Sequence, residues 1–327
     1  MKKAFVTGGT GFIGGHLIES LLKKGYKVSC LVRKNSNKSM IENMNVEVIE
    51  GDLNEKELLK ERLGEFEYVF HFAGLTKAKK KEEFFKVNLD GTKNLIESII
   101  EKKISLKRFL YCSSMAAGGP SGEFKRKKEE DDSTPVSDYG ISKLYTEEYL
   151  KKFYSYLPIT IIRPPAVYGP RDKDFLLMFK LVKSGIKPIL GTHKKYYNIV
   201  YIKDLVRGSI LAAEDEGSVS EIYYIADPNI YTWQDFVNEV AGFFHIKTLE
   251  VKIPDSFLDA IAFFSENISR LNAKSSVISV QKVKELKQKY WLCDTTKAEK
   301  KLGFSPEYSL KDGIEETAQW YIDNGWL

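Results

Sequence analysis

The 327-residue sequence contains no apolar run approaching the about 18 residues that a bilayer-crossing helix needs, so no membrane span is expected. Cysteine is scarce. Cys30, Cys112 and Cys293 lie far apart and are odd in number, which excludes a paired disulfide framework and offers no closely spaced metal ligands. Cys30 and Cys112 fall inside apolar, strand-like runs, as buried thiols do in a reducing compartment. Charge of one sign is also lacking. Fifty Lys and Arg against 45 Asp and Glu leave a net charge of +5, dispersed over many lysines, and no nucleic-acid surface follows from it. There is no internal repeat, low-complexity tract or flexible linker. An apolar run already begins at residue 3, which leaves no room for a signal peptide, and a cytoplasmic protein is expected.

What is present is ample material for a core: 43% hydrophobic residues, with aromatics making 13% of the chain. The length accommodates one large α/β domain plus a smaller lobe. The opening MKKAFVTGGTGFIGG organises the rest. Lys3 to Val6 reads as a buried strand that breaks at Gly8, Gly11 and Gly14, and helical apolar spacing resumes at Phe12, Ile13, Leu17, Ile18 and Leu21. Such a turn leaves unpaired N–H groups at the helix start, and glycines let the backbone approach a pyrophosphate closely. The spacing G-x-x-G-x-x-G is one residue longer in its first gap than the common dinucleotide fingerprint.

Strands and helices then alternate. Strands are predicted at Tyr26 to Val32, Val46 to Ile49, Tyr68 to Phe72, Phe109 to Cys112 and Ile159 to Ile162, with helices at Glu55 to Leu63, Glu82 to Lys102 and Tyr139 to Tyr154. This pattern implies a Rossmann-type, doubly wound parallel sheet with helices on both faces, in which ligands lie beyond the carboxyl ends of the strands. Gly8, Arg33, Asp52, Ala73 and Ser114 all fall on that side. At the end of the second strand, where many nucleotide-binding folds carry an acid for the ribose hydroxyl, stand Arg33 and Lys34. A cation there attracts a 2′-phosphate, so NADP is favoured over NAD. Asn88 places an amide inside a helix, where it can bond the backbone or a cofactor near the fourth strand. Glu123 to Asp132 reads as a solvated, charged loop.

Beyond residue 170 the pieces are less regular: a strand at Ile199 to Ile202, a helix at Lys203 to Ala213, a strand at Ile222 to Ala226, a helix capped by Thr232, and two last helices starting at Thr295 and Asp312. The expected division is 1–170 as the dinucleotide-binding domain, with 199–226 returning to it, and 171–198 with 227–327 as an interleaved, smaller substrate lobe. Phe257, Leu258, Ile261, Ala262 and Phe264 form an apolar helical face in that lobe, read first as ordinary core of the lobe, with the sharper alternative that part of it lines a substrate pocket beside Tyr197.

Tyr139 and Lys143 stand one helical turn apart on one face. A free phenol has a pKa of about 10 and is a poor base. A nearby cation favours phenolate, and Ser114 at a neighbouring strand end can bond the same substrate oxygen. The three suit proton transfer at a C–OH or C=O while a hydride passes to or from nicotinamide.

These motifs resemble the extended short-chain dehydrogenase/reductases, the NAD(P)-dependent epimerase/dehydratase family, over nearly the whole chain. TGGTGFIG (Thr7 to Gly14), GDL (Gly51 to Leu53), HFAG (His71 to Gly74) and VNLDGT (Val87 to Thr92) are similar to that family's cofactor signatures. So are YCSS (Tyr111 to Ser114), YGISK (Tyr139 to Lys143), RPPAVYGP (Arg163 to Pro170) and IVYIKDL (Ile199 to Leu205). The resemblance implies cofactor contacts from Gly8, Thr10, Gly11, Phe12, Ile13, Gly14, Arg33, Asp52, Leu53, Phe72, Ala73, Gly74, Asn88, Lys143, Pro164 and Val167. Asp52 and Leu53 would hold the adenine, Phe12 and Ile13 would offer backbone N–H to the pyrophosphate, and Lys143 would bond the nicotinamide ribose. It implies Ser114, Tyr139 and Lys143 as the catalytic set, a homodimer through the helices at Glu82 and Tyr139, and no metal.

Departures narrow the substrate. Met115 and Ala116 replace the acid pair of the family's sugar dehydratases, which speaks against removal of water. Ala166 stands where its nucleotide-sugar enzymes usually have Asn, and Tyr197 where they tend to have Arg. Thr76, Ala166 and Tyr197 are the candidate substrate residues, and Lys194, Lys195 and Lys284 the cations from which a sugar diphosphate would need a substitute grip. The expected activity is interconversion of a secondary alcohol and a ketone on a small-molecule substrate. The rivals are a nucleotide-sugar epimerase with tightly bound NAD and a catalytically inactive NAD(P)-binding regulator.

Overall fold

A computed structural model describes residues 1–191, 193–254 and 280–327. The apolar face from Phe257 to Phe264 lies outside the described residues. Seven strands form one parallel sheet: β1 (Lys3–Thr7), β2 (Lys27–Val32), β3 (Glu47–Glu50), β4 (Tyr68–His71), β5 (Arg108–Cys112), β6 (Ile159–Ile162) and a short seventh strand, Ile222–Tyr223. Their order across the sheet is seventh, β6, β5, β4, β1, β2, β3. The chain thus winds one way from β1 to β3 and the other way from β4 onward, which makes the β1/β4 boundary the crevice where such sheets bind ligands. Register pins this boundary, with Thr7 opposite both Leu31 and His71.

Strand alternation builds two cores. Ala4, Val6, Val28, Cys30, Phe70, Leu110 and Ile162 face the helix α1 (Phe12–Lys23) and the helix Ile202–Glu214. Phe5, Leu31, Val69, Phe109, Tyr111 and Ile161 face Leu59, Leu95, Ile96, Ile99 and Leu150 on the other side. Both faces are covered, as a parallel sheet requires.

Several boundaries differ from the sequence pattern for identifiable reasons. The long helix expected from Glu82 is three pieces: Lys81–Phe84, a π-helical stretch Phe85–Asp90 and Gly91–Glu101. The wide turn coincides with Asn88, whose side chain is buried and bonded off the helix. The last helix, Leu310–Asp323, is capped by Ser309, and Asp312 is the third residue of that capping box rather than its start. The charged run is not uniformly solvated. Lys127 is only 8% exposed and donates to the Gly118 carbonyl at 2.5 Å and to Thr134 Oγ1 at 3.1 Å. Glu129 accepts from the Tyr224 N–H at 2.9 Å, which fastens the run to the chain just beyond the seventh strand.

Two buried polar constellations tie the layers together. Arg163, after β6, pairs with Glu147 at 2.6 Å, the two side chains being 1% and 0% exposed. Ser113 donates to the same carboxylate. The second runs through His71. The Ala73 N–H donates to Thr7 Oγ1 at 3.2 Å, so the single Thr7 hydroxyl proton is directed to His71 Nδ1 at 2.6 Å. Nε2–H then donates to Thr92 Oγ1 at 2.8 Å, whose own proton goes to the Asn88 carbonyl at 2.6 Å. The imidazole is therefore neutral with one fixed tautomer, and burial pushes its pKa down to about 3.

That shift links stability to pH. The unfolded chain takes up a proton near pH 6.5 and the folded chain only near 3, so stability should fall as pH drops between those values. A His71→Gln variant, though less stable at neutral pH, should lose stability less steeply over that interval in urea denaturation. Equal slopes for parent and variant would contradict a neutral His71.

Candidate active site

β1 ends at the glycine turn. Gly8 has φ +77°, and a Cβ there would stand 2.6 Å from the Ala73 nitrogen. A Cβ on Gly14 would meet the Gly8 carbonyl oxygen at 2.2 Å, so α1 abuts the strand end as only glycine permits. Gly11 is the N-cap of α1 in extended conformation, and no side-chain cap and no acid in the first turn compete for its N–H groups. Such a terminus fits the diphosphate of a dinucleotide. Thr10, Phe12 and Ile13 flank it, each partly buried.

The remaining candidates lie at successive strand ends. Arg33 is exposed beyond β2 and has no ion-pair partner among the described residues. Past β3, Asp52 accepts from the Asn54 backbone and amide at 2.9 and 2.8 Å, while Leu53 is buried against Gly91. Past β4, Phe72 and Ala73 border Gly8, and Gly74 lies where a Cβ would be 3.1 Å from Asn88 Oδ1 and 3.2 Å from Lys143 Nζ. Thr76 is exposed just beyond. Asn88 accepts from the Leu75 N–H at 2.7 Å and donates to the Leu75 carbonyl at 3.1 Å and to Ser142 Oγ at 2.9 Å. It fastens the loop after β4 to the helix Asp138–Lys151.

That helix carries Tyr139 and Lys143. Lys143 Nζ donates to the Cys112 carbonyl at 2.8 Å and lies 4.7 Å from the Tyr111 ring centre. Burial pushes its pKa down to about 8, with the neighbouring Cys112 and Glu147 acting the other way. Ser114 Oγ accepts the Ala116 N–H at 3.1 Å, and Ser114 acts to lower the pKa of the Tyr139 phenol. The Tyr139 pKa is raised above its ordinary value chiefly by burial, against the lowering effect of Ser114. The expectation that a nearby cation would favour phenolate is outweighed here by desolvation. In the protein alone the phenol is thus held in its neutral form, with Lys143 one turn along the helix.

Pro164 is buried after β6, and Val167 sits partly buried in a strand, Ala166–Tyr168, parallel to Ile199–Tyr201. Ala166 is exposed. Tyr197 lies in the strand Tyr196–Tyr197, between Tyr231–Thr232 and Tyr290–Trp291, and packs against the cluster of Met115, Tyr224, Ala226, Trp291 and Cys293. Met115 follows Ser114 directly, and that cluster brings Tyr197 toward the β5 end. Thr7, His71, Thr92 and Ser142 were not singled out from the sequence. The available signal was polar side chains inside apolar strands, at Thr7 and His71.

Comparison with known proteins agrees with this geometry. A profile described as the NAD dependent epimerase/dehydratase family matches residues 4–226. The chain is similar to a ceramide reductase of Caulobacter vibrioides, 29% identical over 98% of this chain and 95% of that one. It is 28% identical to a UDP-glucose 4-epimerase of Vibrio cholerae over 98% and 96% of the two chains. The crystal structure of the Thermotoga maritima UDP-glucose 4-epimerase with UDP-glucose superimposes with a TM-score of 0.82 at 26% identity, covering 98% of this chain and 99% of that one. The chain belongs to the NAD-dependent epimerase/dehydratase family and is an enzyme, a dehydrogenase/reductase or epimerase of the extended short-chain dehydrogenase type.

Proposed function

We propose that this enzyme is an NADP-preferring oxidoreductase that interconverts a secondary alcohol and a ketone, with Tyr139 as proton donor and acceptor, Ser114 bonding the substrate oxygen and Lys143 holding the cofactor's ribose. The observation that carries it is the convergence of those three residues at the carboxyl end of β5, beside Gly74 and Asn88. The cofactor, when bound, supplies or accepts the hydride. The chain's own part is to hold a proton on the Tyr139 phenol until a substrate oxygen develops charge, and to return it in the reverse direction. The glycine turn and Asn88 support the diphosphate and nicotinamide ends, Asp52 and Leu53 the adenine, and Pro164 and Val167 the ring's flank. In this reading residues 1–170 with 199–226 carry the cofactor, and 171–198 with 227–327 carry the substrate. A homodimer through the helices at Glu82 and Tyr139 and a cytoplasmic location belong to the same proposal.

The substrate side favours a reductase. Buried Met115 and Ala116 supply no acid beyond Ser114, and neither Ala166 nor Tyr197 grips a phosphate. Lys195, a candidate substitute, donates to the Leu286 carbonyl at 2.5 Å. The ceramide reductase likeness agrees with this, while the UDP-glucose epimerase likeness keeps a nucleotide-sugar epimerase as the second reading.

Tyr139→Phe should lower turnover by roughly 10²–10⁴-fold while the cofactor still binds. Near-normal turnover in that variant would contradict the assignment. Fluorescence titration should show NADPH binding more tightly than NADH, and Arg33→Asp should reverse the order by setting an anion against the 2′-phosphate. Equal affinities in the parent would remove the NADP preference.

A further inference from the structure

The N-terminal turn of the catalytic helix is held from outside the sheet by the helix Val280–Leu286. Gln281 grips its first residue at two points, donating to Asp138 Oδ2 at 2.7 Å and accepting the Asp138 N–H at 3.0 Å. Glu285 Oε1 accepts the Ser137 hydroxyl at 2.6 Å, and the same Ser137 oxygen accepts the Gly140 N–H at 3.1 Å as the helix N-cap. Tyr139 follows directly after the two residues so anchored, Ser137 and Asp138. The far end of the gripping helix is fixed as well. Trp291 Nε1–H donates to the Glu285 carbonyl at 3.0 Å, and Trp291 pairs with Tyr197 in the three-stranded sheet. One continuous set of bonds therefore runs from the strand of Tyr197 to the cap beneath Tyr139.

Among the described residues, the charged and polar groups around this contact are few. Ser114 and Cys112 approach the phenol from the β5 side, the Phe84 ring lies 6.2 Å from that of Tyr139, and Glu285 approaches from the gripping helix. Lys282 Nζ lies 3.3 Å from Glu285 Oε2, and Lys81 Nζ 4.0 Å from Asp138 Oδ1. The Glu285 carboxylate acts on Tyr139 in the direction that keeps the phenol protonated.

We propose that Glu285 is a positioning residue for the reaction: through Ser137 it sets the cap of the catalytic helix, and it brings a carboxylate to the residues that directly precede Tyr139. This rests on Tyr139 being the acid/base, which turnover of Tyr139→Phe judges separately. Gln281 and Ser137 carry no charge, so of the two side chains the gripping helix brings to the cap, Glu285 is the charged one.

The test is a spectrophotometric titration of the Tyr139 phenol in the complex with oxidised nicotinamide dinucleotide, read as the difference from Tyr139→Phe. It needs no substrate. Glu285→Gln keeps an acceptor for Ser137 and removes the charge, and it should move phenol ionisation to lower pH by roughly half a unit or more. Lys282→Met, on an exposed side chain, should move it the opposite way by leaving Glu285 less screened. Opposite shifts in the two variants support the proposal. An unmoved titration in Lys282→Met, or in a folded Glu285→Gln, would overturn it, since a purely structural contact would lower the melting temperature without moving the phenol.

Discussion

The Gly8 carbonyl and Gly14 approach so closely that a methyl group on Gly14 would stand 2.2 Å from the oxygen. Everything at the site depends on that contact. It lets α1 start directly at the end of β1, which aims uncapped N–H groups out of the sheet at the one boundary where strand order reverses. Because Gly8 also touches Phe72 and Ala73, the ends of β1 and β4 are locked side by side, and the loop after β4 is delivered to Asn88 and Lys143. A larger residue at either glycine would separate these parts before it affected any contact with a ligand.

The helix that carries Tyr139 and Lys143 is positioned by buried polar bonds rather than by apolar packing alone. Glu147, one turn beyond Lys143, receives Arg163 and Ser113, which ties the helix to the ends of β5 and β6. Removing one partner of such a buried pair costs about 3–5 kcal/mol because the other charge is left without compensation. Asn88 holds the same helix at Ser142, and Gln281 and Glu285 hold its cap. Within this frame burial moves Tyr139 and Lys143 in opposite pKa directions, both toward the neutral form. Desolvation favours neutral groups, and charge is restored where ligands and substrate bring compensating charge.

What was legible in the sequence was what local signals determine. Glycines at a strand end, alternation of strand and helix, and a Tyr–Lys pair on one helix face are short-range features, and they gave the doubly wound sheet and the residues that gather at its carboxyl edge. What was not legible depends on partners far along the chain. The π turn at Asn88 exists because Leu75 and Ser142 satisfy its amide, and neither is a neighbour in sequence. Lys127 is buried within a run of charges because the Gly118 carbonyl and Thr134 lie behind it. Asp312 and Ser309 both look like caps, and only the backbone geometry distinguishes the cap from its box partner. The raised phenol pKa of Tyr139 reflects burial, which no spacing rule reports.

The central claim is that this scaffold works on a carbonyl or alcohol of modest polarity rather than on a nucleotide sugar. Ligand binding to the folded state raises its stability according to concentration over Kd, by about 2.7 kcal/mol at a hundredfold excess. The direct measurement is the melting temperature of the protein saturated with NADP, screened against apolar ketones and secondary alcohols alongside UDP- and dTDP-sugars. Stabilisation by members of the first group and not the second is the expected result. A strong upward shift with the nucleotide sugars and none with the apolar compounds would contradict the account and make an epimerase the correct reading.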